Sequence, residues 1–221
     1  MARLLVVNAD DFGRSAGIND GVLRAHREGI VSSASLMVNG VAAEAAVSEA
    51  LSAPELSIGL HFVEPRGVDI DDPGLLREAL EAQLNEFERL TGRLPTHLDS
   101  HHHVHFENER AATFAWLAAE LGVPFRGRAD IRYVGGFYGQ RESGETDLRR
   151  IGRDELKRLL RSEVRAQATE LSCHPAASLD GLDSVYCAER LVELETLTSP
   201  GLGAQLRGLG IRLVSFRELA G

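Results

Sequence analysis

Between His97 and His105 the sequence His-Leu-Asp-Ser-His-His-His-Val-His packs five of the chain's eight histidines and one carboxylate into nine residues. Imidazole combines a neutral donor nitrogen with a titration point near neutrality, so such a cluster points to metal binding, proton transfer or both. Read as a strand from Thr96 onward, its period of two places His97, Asp99, His101, His103 and His105 on one face. Leu98, Ser100, His102 and Val104 then face the other way. On that reading His101 is the strongest ligand candidate, because His97 and Asp99 share its face and could orient its ring. His103 and His105 would reach beyond it into a substrate cleft.

Three further positions carry chemistry. Asp10 and Asp11 are neighbours at the end of an apolar run. In a regular strand they would point apart, but at a strand end they can converge, and a cation beside them would relieve their repulsion. One could then ligate a metal while the other stays free as a base; alone, the pair also fits a turn or a helix N-cap. His61 ends another apolar strand, where a lone histidine is more often a hydrogen-bonded core residue. Asp11, His61 and His101 together would make a two-histidine, one-carboxylate site with open positions for water and substrate. Ser172-Cys173-His174-Pro175 places His174 at a late strand end, where a proton-donor role is more attractive than pairing with Cys173, a small buried residue. Phe137-Tyr138-Gly139 lies in a glycine-rich loop, where Tyr138 could stack on a sugar ring. Arg126, Arg128 and Arg132 alternate along one predicted strand and could contact a carboxylate, a phosphate or helix acids. His26 reads as a solvated helix residue.

The elements that must position these groups alternate. Strands are expected at Leu4–Val7, Ile30–Val38, Ser57–Val63, from Thr96, at Phe125–Tyr133, Thr169–Cys173 and Ile211–Phe216. Helices are expected at Ile18–Glu28, Val41–Leu51, Leu75–Leu90, Glu109–Leu121, Asp154–Gln167 and Tyr186–Leu197, several closed by Gly or Pro. Strands alternating with helices imply an α/β fold with mostly parallel strands, and a TIM-barrel-like distorted (β/α) barrel is the preferred form. Asp10-Asp11, His61, His101 and His174 each end a predicted strand, where barrels of this kind carry their sites. No GxGxxG or Walker-type loop marks a nucleotide crevice.

At 221 residues and 43% hydrophobic content, one domain spanning residues 1–221 is expected. A net charge of -9 argues against nucleic acid as a partner. The first apolar run is too short for a signal peptide or membrane span. The two cysteines, Cys173 and Cys187, lack CxxC spacing, so a reduced cytoplasm is the expected compartment. A homodimer is the base-rate assembly.

Val7-Asn8-Ala9-Asp10-Asp11-Phe12-Gly13, Gly59-Leu60-His61-Phe62, Thr96 to His105 and Cys173-His174-Pro175 resemble, in that order, the signature segments of the YdjC-like carbohydrate deacetylases. That group includes chitooligosaccharide deacetylases. The similarity runs on through Ser184-Val185-Tyr186-Cys187 and Leu197-Thr198-Ser199, over nearly the whole chain. The resemblance implies a distorted (β/α) barrel, one divalent metal on Asp11, His61 and His101, and removal of acetyl groups from N-acetylated sugars. By analogy with the wider deacetylase superfamily it also implies Asp10 as base and His174 as acid. The chain departs from chitooligosaccharide-type members in a shorter segment between His61 and His97. Zinc suits the ligand set by softness, and the resemblance adds magnesium. The rival readings are a metal-dependent phosphoesterase, which usually wants two metals, and a sugar-binding barrel without turnover.

Overall fold

The computed structural model describes residues 3–107, 109–165 and 167–219. Its central strand is β1 (Arg3–Phe12), whose apolar run is buried on both faces, as a strand inside a parallel sheet must be. After β1 come α1 (Ala16–Glu28), β2 (Ser33–Leu36), α2 (Ala43–Ala50), β3 (Ser57–Phe62), α3 (Pro73–Thr91), β4 (Leu98–Ser100) and α4 (Arg110–Leu121). The chain continues through β5 (Ile131–Val134), α5 (Arg153–Ser162), β6 (Ala168–Cys173), α6 (Ala188–Leu197), α7 (Leu202–Gly208) and β7 (Ile211–Leu213). The strands pair in parallel in the order β4-β3-β2-β1-β6-β5, with β7 beside the first residues of β1. The sheet curls into a distorted α/β barrel wrapped by helices, and the strand ends that carry Asp10, His61, Ser100 and Cys173 gather at one mouth.

Alternation along β1 sets the two environments. Leu5, Val7 and Ala9 join the main apolar cluster with helix residues such as Ile18 and Val22. Val6 lies with Ile131, Val214 and Phe216 in a separate small cluster. Asn8 and Asp10, on the same face as Val6, enter a hydrogen-bonded polar core in which Asn8 Nδ2 donates to Asp10, Ser35 and Asp99. The barrel interior thus passes from apolar at its foot to polar at its mouth. Gly59 makes room for it, because a Cβ there would lie 2.4 Å from the His97 ring.

Helix ends follow local chemistry. Ser15 caps α1 by accepting the Ile18 N–H, and Asp72 with Pro73 opens α3. Gly92 and Gly122 close α3 and α4 in the left-handed conformation.

Several expected elements change. The histidine strand lasts only to Ser100; His101–Phe106 form a kinked 3-10 turn with His102 and His103 at φ of 55° and 56°. The second strand shortens to Ser33–Leu36 and the last to Ile211–Leu213. The expected strand Phe125–Tyr133 breaks in two: Phe125 bridges Leu98, a turn follows, and β5 begins at Ile131. Arg126, Arg128 and Arg132 therefore do not share a face. Arg128 pairs with Asp130, Arg132 with Glu163, and only Arg126 turns inward. α5 stops at Ser162 rather than Gln167, where Arg3 takes the free carbonyls of Leu160 and Val164. α6 starts at Ala188 rather than Tyr186, and a further short helix, α7, lies between it and β7. His26 is half-buried, its Nδ1 2.9 Å from the Val31 carbonyl oxygen. No helix among the described residues is long and apolar enough to cross a membrane.

Candidate active site

A register shift between β1 and β2 across Ala9 to Phe12 puts Asp11 at φ 67°, in the left-handed region that aspartate tolerates better than most residues. This bulge re-aims a side chain that a regular strand would turn away. Asp10 and Asp11 both line a cavity of about 640 Å³ at the barrel mouth, together with His61, His101, Tyr138 and His174.

Donor atoms of Asp11, His61 and His101 all lie within 4.8 Å of one another. Asp11 Oδ1 is 3.1 Å from His101 Nδ1 and 3.6 Å from His61 Nε2. Among the described residues, neither Asp11 Oδ1 nor His61 Nε2, both buried, has a hydrogen-bond partner. Buried polar atoms are rarely left so, and two of them facing one another fit a shared cation. The other halves of these groups are committed. His61 Nδ1 donates to Asp99 Oδ1 at 2.7 Å, which fixes the tautomer and leaves Nε2 free as a ligand. Asp11 Oδ2 accepts Arg190 Nη2 at 2.5 Å and lies 3.3 Å from Arg14 Nη1. Burial opposes charge on Asp11, yet the His101 and His61 contacts and the Arg190 charge outweigh it and hold the carboxyl well below its usual range. Burial also pushes His61 down, but Asp99 and Asp11 lift it to about 10. The pocket demands positive charge at that point, and the donor set suits a divalent metal.

Asp10 stands beside this cluster in a different role. Arg126, 0% exposed, grips it bidentately at 2.8 and 2.7 Å and also meets Glu170 at 2.7 Å and Asp99 at 3.0 Å. Burial would raise the Asp10 carboxyl, but the guanidinium outweighs it and keeps Asp10 ionised below the ordinary carboxylate value. Glu170, with one oxygen unpaired, is pushed up by burial to about 7. Across the cavity, His174 Nε2 lies 3.8 Å from Asp10 Oδ2. Asp10, His61 and Asp99 form a second potential ligand group, but Arg126 already supplies its positive charge.

The remaining expected site residues separate. His97 is buried beneath the site, its Nε2 3.0 Å from Ser35 Oγ and its ring stacked on Phe216. Asp99 supports His61, not His101. His103 lines the cavity, its Nε2 2.9 Å from the Tyr133 hydroxyl. His105 does not reach the cleft: it is fully buried with Nδ1 2.5 Å from Ser100 Oγ. His102, expected to face away, lines the cavity against His101, because the left-handed turn ends the alternation. Tyr138 lines the cavity, stacked on Tyr186 with centroids 4.4 Å apart, whereas Phe137 is buried. Ser35, Arg126, Glu170, Arg190 and Glu193 complete the polar framework. No sequence spacing links them, although Arg126 stood among residues that could contact a carboxylate.

Burial holds His97 down at about 4 and His105 at about 3. Between pH 6.5 and 5 the unfolded chain protonates both while the folded chain keeps them neutral, so stability falls as pH drops. His61, at about 10 in the folded chain, opposes this fall only near pH 6.5, where the unfolded imidazole is half-protonated; Glu170, at about 7, opposes it across the window, and His103, at about 4, adds to it. The expected loss in metal-free protein is up to about 1.4 kcal/mol per pH unit for each of His97 and His105. Urea unfolding at pH 6.5 and 5 checks it, and a flat profile would contradict the buried neutral assignment.

Comparisons with known proteins agree with this architecture. A sequence profile for the family described as "YdjC-like protein" matches residues 4–75 and 68–208. A chitooligosaccharide deacetylase of Serratia marcescens is 36% identical over 261 residues, covering 99% of this chain and 100% of that protein. A crystal structure from Enterococcus faecalis V583, named for cellobiose-phosphate cleavage, superposes with a TM-score of 0.78 at 26% identity, with 100% of each chain covered. A family 4 acetyl xylan esterase from Clostridium thermocellum, in complex with a cobalt ion, shares the fold at a TM-score of 0.57 and 15% identity, over 98% of this chain and 89% of that one. With the profile reaching both ends of the barrel and the Serratia relative aligned over nearly the whole length, the chain belongs to the YdjC-like protein family.

Proposed function

We propose that this chain is a metal-dependent hydrolase that removes acetyl groups from N-acetylated sugars or short chitooligosaccharide-like chains and releases acetate. The observation that carries the reading is the meeting of two half-sites in one cavity: the Asp11, His61 and His101 cluster with its two orphaned atoms, and the Asp10 and His174 pair 3.8 Å apart. The name of the Serratia relative supports the substrate class.

Asp11, His61 and His101 would hold one divalent ion, Zn2+ or Mg2+. Such an ion supplies charge that polarises an acetamide carbonyl and lowers the pKa of water toward about 7. Asp10, kept ionised by Arg126, takes the proton of the attacking water. His174 gives a proton to the departing amine. Tyr138 offers a ring face to the sugar. A two-metal phosphoesterase fits less well, because the second cationic position is filled by Arg126.

We read residues 1–221 as one domain, a homodimer as its assembly, and the cytoplasm as its compartment. Both cysteines are free, and Cys173 is buried. Chelation tests the central reading. Removal of metal should abolish acetate release, and Zn2+, Co2+ or Mg2+ should restore it. Full turnover in protein shown by elemental analysis to be metal-free would overturn the reading.

A further inference from the structure

Glu193 on α6 is 0% exposed, and a buried carboxylate requires partners that justify its desolvation. Its partners lie directly behind the site. Glu193 Oε2 accepts the His174 backbone N–H, and Oε1 accepts the Tyr186 hydroxyl. The same Oε1 lies 3.8 Å from His174 Nδ1, a buried nitrogen with no hydrogen-bond partner among the described residues. The opposite nitrogen of that ring, Nε2, faces Asp10 Oδ2. Tyr186 reaches the other way as well: its hydroxyl accepts the Gly139 N–H at 2.8 Å, and its ring lies flat against Tyr138, at an interplanar angle of 10°. One buried carboxylate therefore touches both the back of the His174 ring and the foot of the aromatic pair at the cavity wall.

We propose that Glu193 is the positioning residue for His174: it receives Nδ1–H of the imidazolium, aims Nε2–H at the departing nitrogen, and through Tyr186 registers that ring with the sugar face of Tyr138. The proposal rests on the reading of His174 as proton donor. In the step it serves, the C–N bond breaks and its electron pair goes to nitrogen, which takes the proton from Nε2. His174 is left neutral, with Nδ1–H held by Glu193. Asp10, carrying the proton removed from water, faces Nε2 and returns it. Water's hydroxyl ends on the acetyl carbon and its proton on the amine, and Glu193 stays ionised throughout. The 3.8 Å contact closes to a hydrogen bond as the ring gains its second proton.

The rival is a purely structural role, in which Glu193 only ties down the His174 turn through the backbone N–H. Leaving groups separate the two. An amine must be protonated to depart, whereas nitrophenolate departs without help. Metal-loaded full-length wild type, Glu193→Gln, His174→Ala and the double variant are compared on an N-acetylated chitooligosaccharide and on p-nitrophenyl acetate. Each single variant is expected to lose about 10²-fold or more in kcat on the amide and less than about fivefold on the ester. The double variant should be no slower on the amide than His174→Ala, because the two residues act as one unit. Glu193→Asp, which keeps the charge, should recover at least about tenfold over Glu193→Gln. Equal losses on both substrates, or additive losses in the double variant, would overturn the proposal. So would a selective loss in His174→Ala without one in Glu193→Gln. Absence of any amide loss in His174→Ala would instead overturn the proton-donor reading, and the role of Glu193 with it.

Discussion

Asp10→Asn is expected to cut acetate release by about 10²- to 10⁴-fold while leaving bound metal at the wild-type level, the range lost when a general base is removed. The separation follows from the geometry. Asp10 contributes to the cavity wall but not to the Asp11, His61 and His101 cluster, and its own oxygens are held by Arg126. Asparagine keeps the shape and one acceptor for the guanidinium but cannot take a proton from water. His101→Ala is the complementary case: it removes a cluster member, so metal content and turnover fall together. Elemental analysis beside an acetate assay distinguishes the two. Asp10→Asn with full activity would remove Asp10 from the reaction, and Asp10→Asn without metal would place it among the ligands.

Arg126→Met is expected to be the most destabilising single change in the barrel. The guanidinium is wholly buried and is the cation shared by Asp10, Asp99 and Glu170. Methionine fills similar volume but leaves those carboxylates facing one another without compensation. Removing one partner of a buried ion pair costs about 3–5 kcal/mol. For a chain of this size that corresponds to a Tm lower by roughly 6–20 °C. Arg126→Lys should fall between, since an ammonium restores charge but cannot grip Asp10 bidentately. Thermal unfolding measures both. A Tm within a degree or two of wild type for Arg126→Met would show that the carboxylates are neutralised in some other way. Turnover should fall too, because Asp10 loses the charge that keeps it ionised.

Much of this was legible in the sequence, for reasons that differ by residue. The ends of α3 and α4 followed from Gly92 and Gly122, whose effects are local, whereas the caps Ser15 and Asp72 start α1 and α3 two residues before the apolar spacing does. The alternation of strands and helices carried the barrel, and the barrel carried the expectation that Asp11, His61 and His101 meet at one mouth. Beyond His101 the expected alternation fails at His102 and His105, because periodicity assumes a regular backbone, while His103 lines the cavity as expected. His102 and His103 are left-handed instead, which turns His102 toward the cavity and buries His105. Arg126, Glu170 and Glu193 were not recognisable as a framework because their partners are 116, 44 and 19 residues away in the chain. Only the curled sheet brings those charges together. Arg126 could be suspected of meeting a carboxylate, but not of being the buried counterion of three.

The most direct measurement is the product balance on a short N-acetylated chitooligosaccharide incubated with metal-loaded protein, followed by mass spectrometry of the sugar and enzymatic assay of acetate. The expected result is one acetate for each acetyl group missing from the oligosaccharide, with an equal number of new free amines and every glycosidic bond intact. Cleaved glycosidic bonds, or an unchanged sugar with metal bound and the protein folded, would contradict the deacetylase reading.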